Sequence, residues 1–242
     1  MNPFPETLHN HLGEQLDFTL HRAASEHAPV VIIGHGVTGH KDRPLLIALG
    51  EALARNGVNA LRISFSGNGA SAGRFEESTV LKEVKELGAV LDALPQSHAG
   101  YIGHSMGAAV GVLRAAEDSR IQFLISLAGI VHTAAFAERE FGNLKPGVDT
   151  MWEKPGCVLS VAYLEAMRQT NNVLDAAGRI RAPWLLVHGT ADDVVPVQDS
   201  RDIGRHVPEA KRVEIDGADH LFSEHTPQVT DAVVDWITHL KR

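Results

Sequence analysis

The chain has 242 residues, of which 44% are hydrophobic and 21% charged, the composition of a folded soluble protein and not of a disordered one. Asp plus Glu outnumber Lys plus Arg by 30 to 22, giving a formal net charge of −8 that argues against general binding to nucleic acid or anionic lipid. A single cysteine, Cys157, excludes an intramolecular disulfide and a multi-cysteine metal site, no apolar run reaches the ~20 residues of a membrane span, and the opening MNPFPETLHNHLGEQLDF lacks the pattern of a secretory signal, so the cytoplasm is the expected compartment.

Two short alternating runs flank Gly13 within residues 7–21 and predict an antiparallel hairpin at a sheet edge. From residue 29 onward, short apolar runs alternate with helical patterns. Pro29–Ile33 reads as a strand, residues 45–56 as a helix closed by Gly57, and Asn59–Ile63 as the next strand. Residues 79–94 place Val80, Val84, Leu87, Leu91 and Leu94 on one helical face. Strands follow at Gly100–Gly103 and Ile121–Leu127. Residues 130–182 are too long for an ordinary connection and read as an insertion, helical at 160–169 and 171–178, holding Phe136, Phe141, Trp152 and Tyr163. After it come a strand at Trp184–His188, a helix near 197–206, a strand at Arg212–Ile215 and a helix from Pro227 to Leu240. Strands apolar on both faces, alternating with helices, define a mostly parallel, doubly wound α/β sheet.

Gly103-His104-Ser105-Met106-Gly107 matches G-x-S-x-G, with a strand before it and a small-residue helical run after it. A chain of this composition holds roughly 0.1 chance matches, so the flanking elements carry the weight. A serine on such a turn stands at the N-terminal end of a helix, where partial positive charge favours a developing anion. A nucleophilic serine needs a base, and His220, on the loop between the last strand and the last helix, falls at the same sheet edge as Ser105. His206, His225 and His239 fit worse: the first lies at the opposite edge, the second near the helix start, the third at the tail. The acid that orients the imidazole is Asp192 or Asp193, both directly after the 184–188 strand. The amides of Met106 and of Val37, in the Gly34–Gly39 loop after the first central strand, are the expected oxyanion donors.

That loop also reads as G-x-G-x-x-G, but the helix begins only near residue 44 and the next strand ends in Ser64-Phe65-Ser66, without the acid a dinucleotide ribose requires. His9 and His11 share one strand face and read as a surface pair, Cys157 reads as structural, and Gly67–Gly73 as a loop at the rim of the site without a catalytic role. Neither zinc-protease motif nor a phosphate-binding P-loop is present.

Together, His35–Lys41, Phe65–Gly69, Gly103–Gly107, Asp192–Pro196 and Asp219-His220 resemble the α/β-hydrolase superfamily, closest to the small serine esterases that include bacterial cinnamoyl and feruloyl esterases. In that family the acid stands three residues after the glycine of a His-Gly pair and three before the valine of a Val-Pro pair, which selects Asp192 over Asp193. The resemblance implies one domain over residues 1–242, an eight-stranded, mostly parallel sheet with helices on both faces, and a helical cap at about 130–182. It implies a serine carboxylesterase with Ser105, Asp192 and His220 as its triad, and a small or medium ester as its partner, needing no cofactor and no metal. Trp152, Phe136 and Tyr163 are the expected pocket residues. Val37 stands where the family often has a bulky aromatic, and Ser64 where it often has Asp, so the triad transfers more readily than the substrate preference. The same scaffold also serves thioesterases, amidases, acyltransferases and non-catalytic binding proteins, and the sequence leaves a monomer and a homodimer both open.

Overall fold

Val, Ile and Leu dominate the central runs, and pairing them side by side satisfies their backbone groups while helices cover both faces. The computed structural model describes residues 4–25, 27–95 and 98–240. Its main sheet contains β3 (Phe18–His21), β4 (Val30–Gly34), β5 (Asn59–Ile63), β6 (Ala99–His104), β7 (Ile121–Leu127), β8 (Trp184–Gly189) and β9 (Lys211–Ile215). Their spatial order is β3-β5-β4-β6-β7-β8-β9, with β3 antiparallel to β5 and the other neighbours parallel. The described residues give this sheet seven strands where eight were expected. The difference lies in β1 (Leu8–His9) and β2 (Gln15–Leu16), which pair with each other as a separate hairpin and bury Leu8 and Leu16 in the core without joining the sheet.

Alternate side chains of the strands point to opposite faces. Ile32, Leu61, Tyr101, Leu124 and Leu186 meet α2 (Val80–Ala93) and α3 (Met106–Ala115), while Ile33, Ala60, Ile102, Ile125 and Val187 meet α1 (Pro44–Arg55) and α8 (Thr226–Leu240). Helix ends follow the sequence chemistry: the Thr79 hydroxyl accepts from the Lys82 amide to cap α2, Pro44 opens α1, and Gly57 follows α1 at φ 75°. Between β7 and β8 lie α4 (Thr133–Phe141), α5 (Val161–Thr170) and α6 (Leu174–Ala177), with α7 (Gln198–His206) before β9. The two helices expected in that segment are α5 and the short α6; α4 went unread because Glu138, Arg139 and Glu140 interrupt its apolar face. α5 packs on α2 and α6 on α3, so the segment shares the core of the main sheet.

Glu83 on α2 is a buried cost in this layer. It accepts from the Ser78 hydroxyl at 3.1 Å, but its Oε2 has no partner among the described residues. Burial first, and the neighbouring Glu86 second, push its carboxyl well above the ordinary range. As pH rises above the ordinary glutamate value, the unfolded chain loses this proton while the folded chain keeps it, so stability falls with rising pH until the folded value is passed. Glu83→Gln therefore raises the melting temperature, relative to the parent, more at pH 8 than at pH 5; an equal shift at both values contradicts this.

Candidate active site

The C-terminal ends of β4 and β6 lie side by side, with Gly34 opposite Gly103. At the end of β6 the chain reverses into α3 through Ser105, which adopts φ 56° and ψ −120°, a conformation that side-chain-bearing residues rarely hold. The turn is locked from three directions. The Ser105 amide donates to the Leu127 carbonyl at 2.9 Å, the Ala108 amide to Ser105 O at 3.0 Å, and the Ile130 amide to Ser105 O at 3.2 Å. The motif glycines are dictated by contact: a Cβ on Gly103 would lie 2.2 Å from the Gly107 carbonyl oxygen, and one on Gly107 would lie 2.5 Å from the His35 carbonyl oxygen. Gly36 approaches so closely that its Cβ would fall 2.6 Å from Ser105 Cβ and 3.0 Å from Ser105 Oγ.

The Gly36 carbonyl accepts from the Gly39 amide at 2.9 Å, closing a turn with Val37 and Thr38 at its centre and Thr38 at φ 55°. Among the described residues the Val37 amide has no acceptor of its own. Met106 opens α3, so its amide has no acceptor one turn earlier in the helix. His35 braces this loop: Nδ1–H donates to Gly36 O at 2.8 Å, and Nε2 accepts from the Phe65 amide at 3.0 Å. Burial lowers its pKa to about 4, which keeps the ring neutral and both bonds in place.

β8 and β9 bring the other two residues together. The Thr190 amide donates to Ile215 O at 3.0 Å and the Ala191 amide to Ala218 O at 3.1 Å, stitching the two loops at the sheet edge. His220 Nδ1 lies 2.8 Å from Asp192 Oδ2, so Nδ1 carries the proton and Nε2 is left as the acceptor. Asp192 Oδ1 accepts from the amides of Val194 and Val195 at 2.9 and 2.8 Å. Burial acting alone would raise the Asp192 pKa; hydrogen bonds from His188 and His220 overcome it and hold the carboxyl far below the usual range. Asp193 is exposed and makes none of these contacts, which separates the two acids.

Ser105 and His220 line one cavity of about 690 Å³, together with Val37, His104, Trp152 and Leu221 among others. His104 Nε2–H donates to the His220 carbonyl at 2.9 Å, and the two rings lie against each other at a 44° tilt with centroids 4.9 Å apart. Burial, then the His220 charge, lowers the His104 pKa to about 3, so it acts as a neutral brace. Like His104, His188 was given no role in the sequence reading: its Nε2 lies 2.9 Å from Val195 O and 3.2 Å from Asp192 Oδ2. Its signal was its place in the His-Gly pair at the end of β8.

Of the three aromatics expected to line the pocket, only Trp152 does so. Phe136 and Tyr163 are buried behind it in an edge-to-face cluster, with Phe141 between them and 4.9 Å from Trp152. The correction is physical: full burial suits a support for the wall better than the wall itself. The Gly67–Gly73 loop, expected at the rim, lines none of the cavity; its Ala72 amide donates to Gln15 O, tying it to β2. Among the described residues no cluster of His, Cys, Asp or Glu could hold a metal, and no helix is long and apolar enough to cross a membrane.

Residues 29–155 match a family described as "alpha/beta hydrolase fold", and residues 149–224 one described as "Serine aminopeptidase, S33". The chain belongs to the α/β-hydrolase fold family. Est1E of Butyrivibrio proteoclasticus, solved with ferulic acid bound, superposes with a TM-score of 0.87 at 28% identity, over 97% of this chain and 98% of that one. A protein of Rickettsia prowazekii is 24% identical over 89% of this chain and 81% of its own length. The mitochondrial palmitoyl-protein thioesterase ABHD10 of Homo sapiens is 26% identical over 74% of this chain, and the match spans 62% of its length. The expected fold and the expected resemblance to the feruloyl-esterase branch are both borne out.

The contact at Gly103 is backbone against backbone and has nowhere to yield. Gly103→Ala is expected to cost about 3 kcal/mol, the upper part of the usual range for overpacking, read from the urea midpoint; an unchanged midpoint contradicts the account of the turn.

Proposed function

We propose that the protein is a serine hydrolase that cleaves small to medium carboxylic esters through an acyl-enzyme. The observation that carries the proposal is one cavity lined by both Ser105, in its left-handed turn, and His220, whose Nδ1 proton is committed to Asp192. Ser105 Oγ attacks the ester carbonyl carbon while His220 Nε2 takes the hydroxyl proton. Asp192 holds the ring in the tautomer that leaves Nε2 free and stabilises the imidazolium, its own carboxyl held well below the usual range by the hydrogen bonds from His188 and His220. The carbonyl electron pair moves onto oxygen, and the amides of Val37 and Met106 receive that charge, each such donor supplying about 3 kcal/mol to the transition state. His220 then gives its proton to the departing alcohol. Water repeats the sequence on the acyl-enzyme, releasing the acid and restoring Ser105.

In this reading the segment between β7 and β8 acts as a cap, with Trp152 as its wall on the site. Its 43% exposed ring is held by Phe141 and by a hydrogen bond from Nε1 to Glu140 at 3.2 Å. A thioester substrate is the second reading, favoured by the likeness to the palmitoyl-protein thioesterase. The same acyl-enzyme serves both, and paired p-nitrophenyl esters and acyl thioesters of equal chain length separate them by kcat/KM.

Ser105→Ala should lower kcat on p-nitrophenyl esters by about 10⁶, and Asp192→Asn by about 10⁴ with KM little changed. Retention of most turnover by Ser105→Ala would remove that residue from the chemistry.

A further inference from the structure

The cavity is electrostatically lopsided. Arg43 and Lys154 both line it, and both donate to a single acceptor, the Thr38 carbonyl: Arg43 Nη2 at 3.3 Å and Lys154 through Nζ. Two cations thus converge on one neutral oxygen. Among the described residues neither has an ion-pair partner, although the neighbouring Asp42 is available in sequence. Asp42 instead pairs with Lys41 and Arg62 at 2.8 Å each. The carboxylates that do line the cavity belong to the β8 and β9 loops: Asp193 is exposed, and Asp219 accepts from the Ser223 amide and hydroxyl at 2.8 Å each.

The surrounding structure adds to the imbalance. Pro44, Leu45 and Leu46, the first residues of the 12-residue helix α1, line the cavity beside Arg43, and that helix has no acidic residue in its first turn and no side-chain cap. Its positive end therefore faces the same space. Lys154 stands in a tight loop closed by the Met151 amide on Cys157 O and the Cys157 amide on Lys154 O, the same loop that carries Trp152. Burial, and then the charge of Arg43, draw the Lys154 ammonium below the ordinary lysine range. Like charges held together at a half-buried wall are unfavourable until an anion joins them.

We propose that Arg43 and Lys154 form a subsite for an anionic oxygen group, a carboxylate or a phosphate, on one arm of the substrate, the apolar remainder lying along Trp152. The inference deepens the hydrolase reading and rests on it for the word substrate; anion binding itself does not. The guanidinium presents paired N–H donors to two oxygens and the ammonium adds a point charge, an arrangement matched to an oxyanion and not to a neutral amide or alcohol.

Calorimetric titration with aryl ethers that carry no carboxylic ester, using the Ser105→Ala background so that no probe is turned over, tests this apart from catalysis. The probes are para-propoxybenzoate, para-propoxyphenyl phosphate and the uncharged para-propoxybenzamide, added to that Ser105→Ala parent and to the same parent carrying Arg43→Gln or Lys154→Met. At least one anion is expected to bind the parent about tenfold or more tightly than the amide, as charge-assisted hydrogen bonds allow, and each substitution should remove most of that advantage. Whether the benzoate, the phosphate or both show it identifies the anion. A substitution that only loosens the Thr38 loop weakens all three probes together and leaves the ratio intact, which overturns the proposal. So does an anion that binds the parent no better than the amide. Failure of the hydrolase reading would appear separately, as ester turnover indifferent to Ser105→Ala.

Discussion

Backbone crowding at Ser105 governs the rest of the molecule. The turn stays in a left-handed conformation because β6, α3 and the loop after β4 all press on it, at distances only glycine permits at residues 36, 103 and 107. Such a conformation costs on the order of 1–3 kcal/mol and persists only where surrounding contacts over-determine it. Parallel pairing of β4 with β6 and of β6 with β7 supplies those contacts, since it sets three strand ends at one edge and lets Leu127 O receive the Ser105 amide. The sheet is in this sense the rigid jig for one side chain and two peptide N–H groups.

Histidines stabilise the site without taking charge. His35 and His104 are buried, neutral, and bonded through defined tautomers to the two loops that carry Val37 and His220. His188 and His220 both reach Oδ2 of Asp192, while Oδ1 accepts from the amides of Val194 and Val195, so both carboxylate oxygens are engaged. A buried carboxylate satisfied this completely keeps its charge and its orientation, which is what a partner to a proton-carrying imidazole must do. The same cavity is lined by Arg43, Lys154 and the first residues of α1, and by Asp193 and Asp219 from the β8 and β9 loops.

The sheet was readable from sequence because its strands are apolar on both faces and end in glycine or turn residues. Asn59–Ile63 and Ile121–Leu127 have the bounds expected of them, and α1, α2 and α8 begin within one residue of where periodicity put them. The serine turn was readable because its glycines answer to local contacts. Choosing Asp192 over Asp193 needed the family's spacing, since both residues follow β8 directly. The segment between β7 and β8 was less transparent. Its aromatics signal a buried cluster, but burial direction depends on tertiary packing, so Phe136 and Tyr163 turned inward and Trp152 outward. Arg43 and Lys154 are 111 positions apart, and nothing local announces that they share a wall. The stretch 7–21 was seen as an antiparallel hairpin at a sheet edge; β1 and β2 pair only with each other, while Phe18–His21 of the same stretch forms the antiparallel edge strand β3, a division set by long-range register.

One measurement bears most directly on the proposed chemistry: treatment of the folded protein with a fluorophosphonate, followed by intact-mass analysis and peptide mapping. The account predicts a single adduct per chain, carried by Ser105, forming far more slowly when His220 is replaced by alanine. A folded protein that takes up no label, or takes it up at another residue, would contradict it.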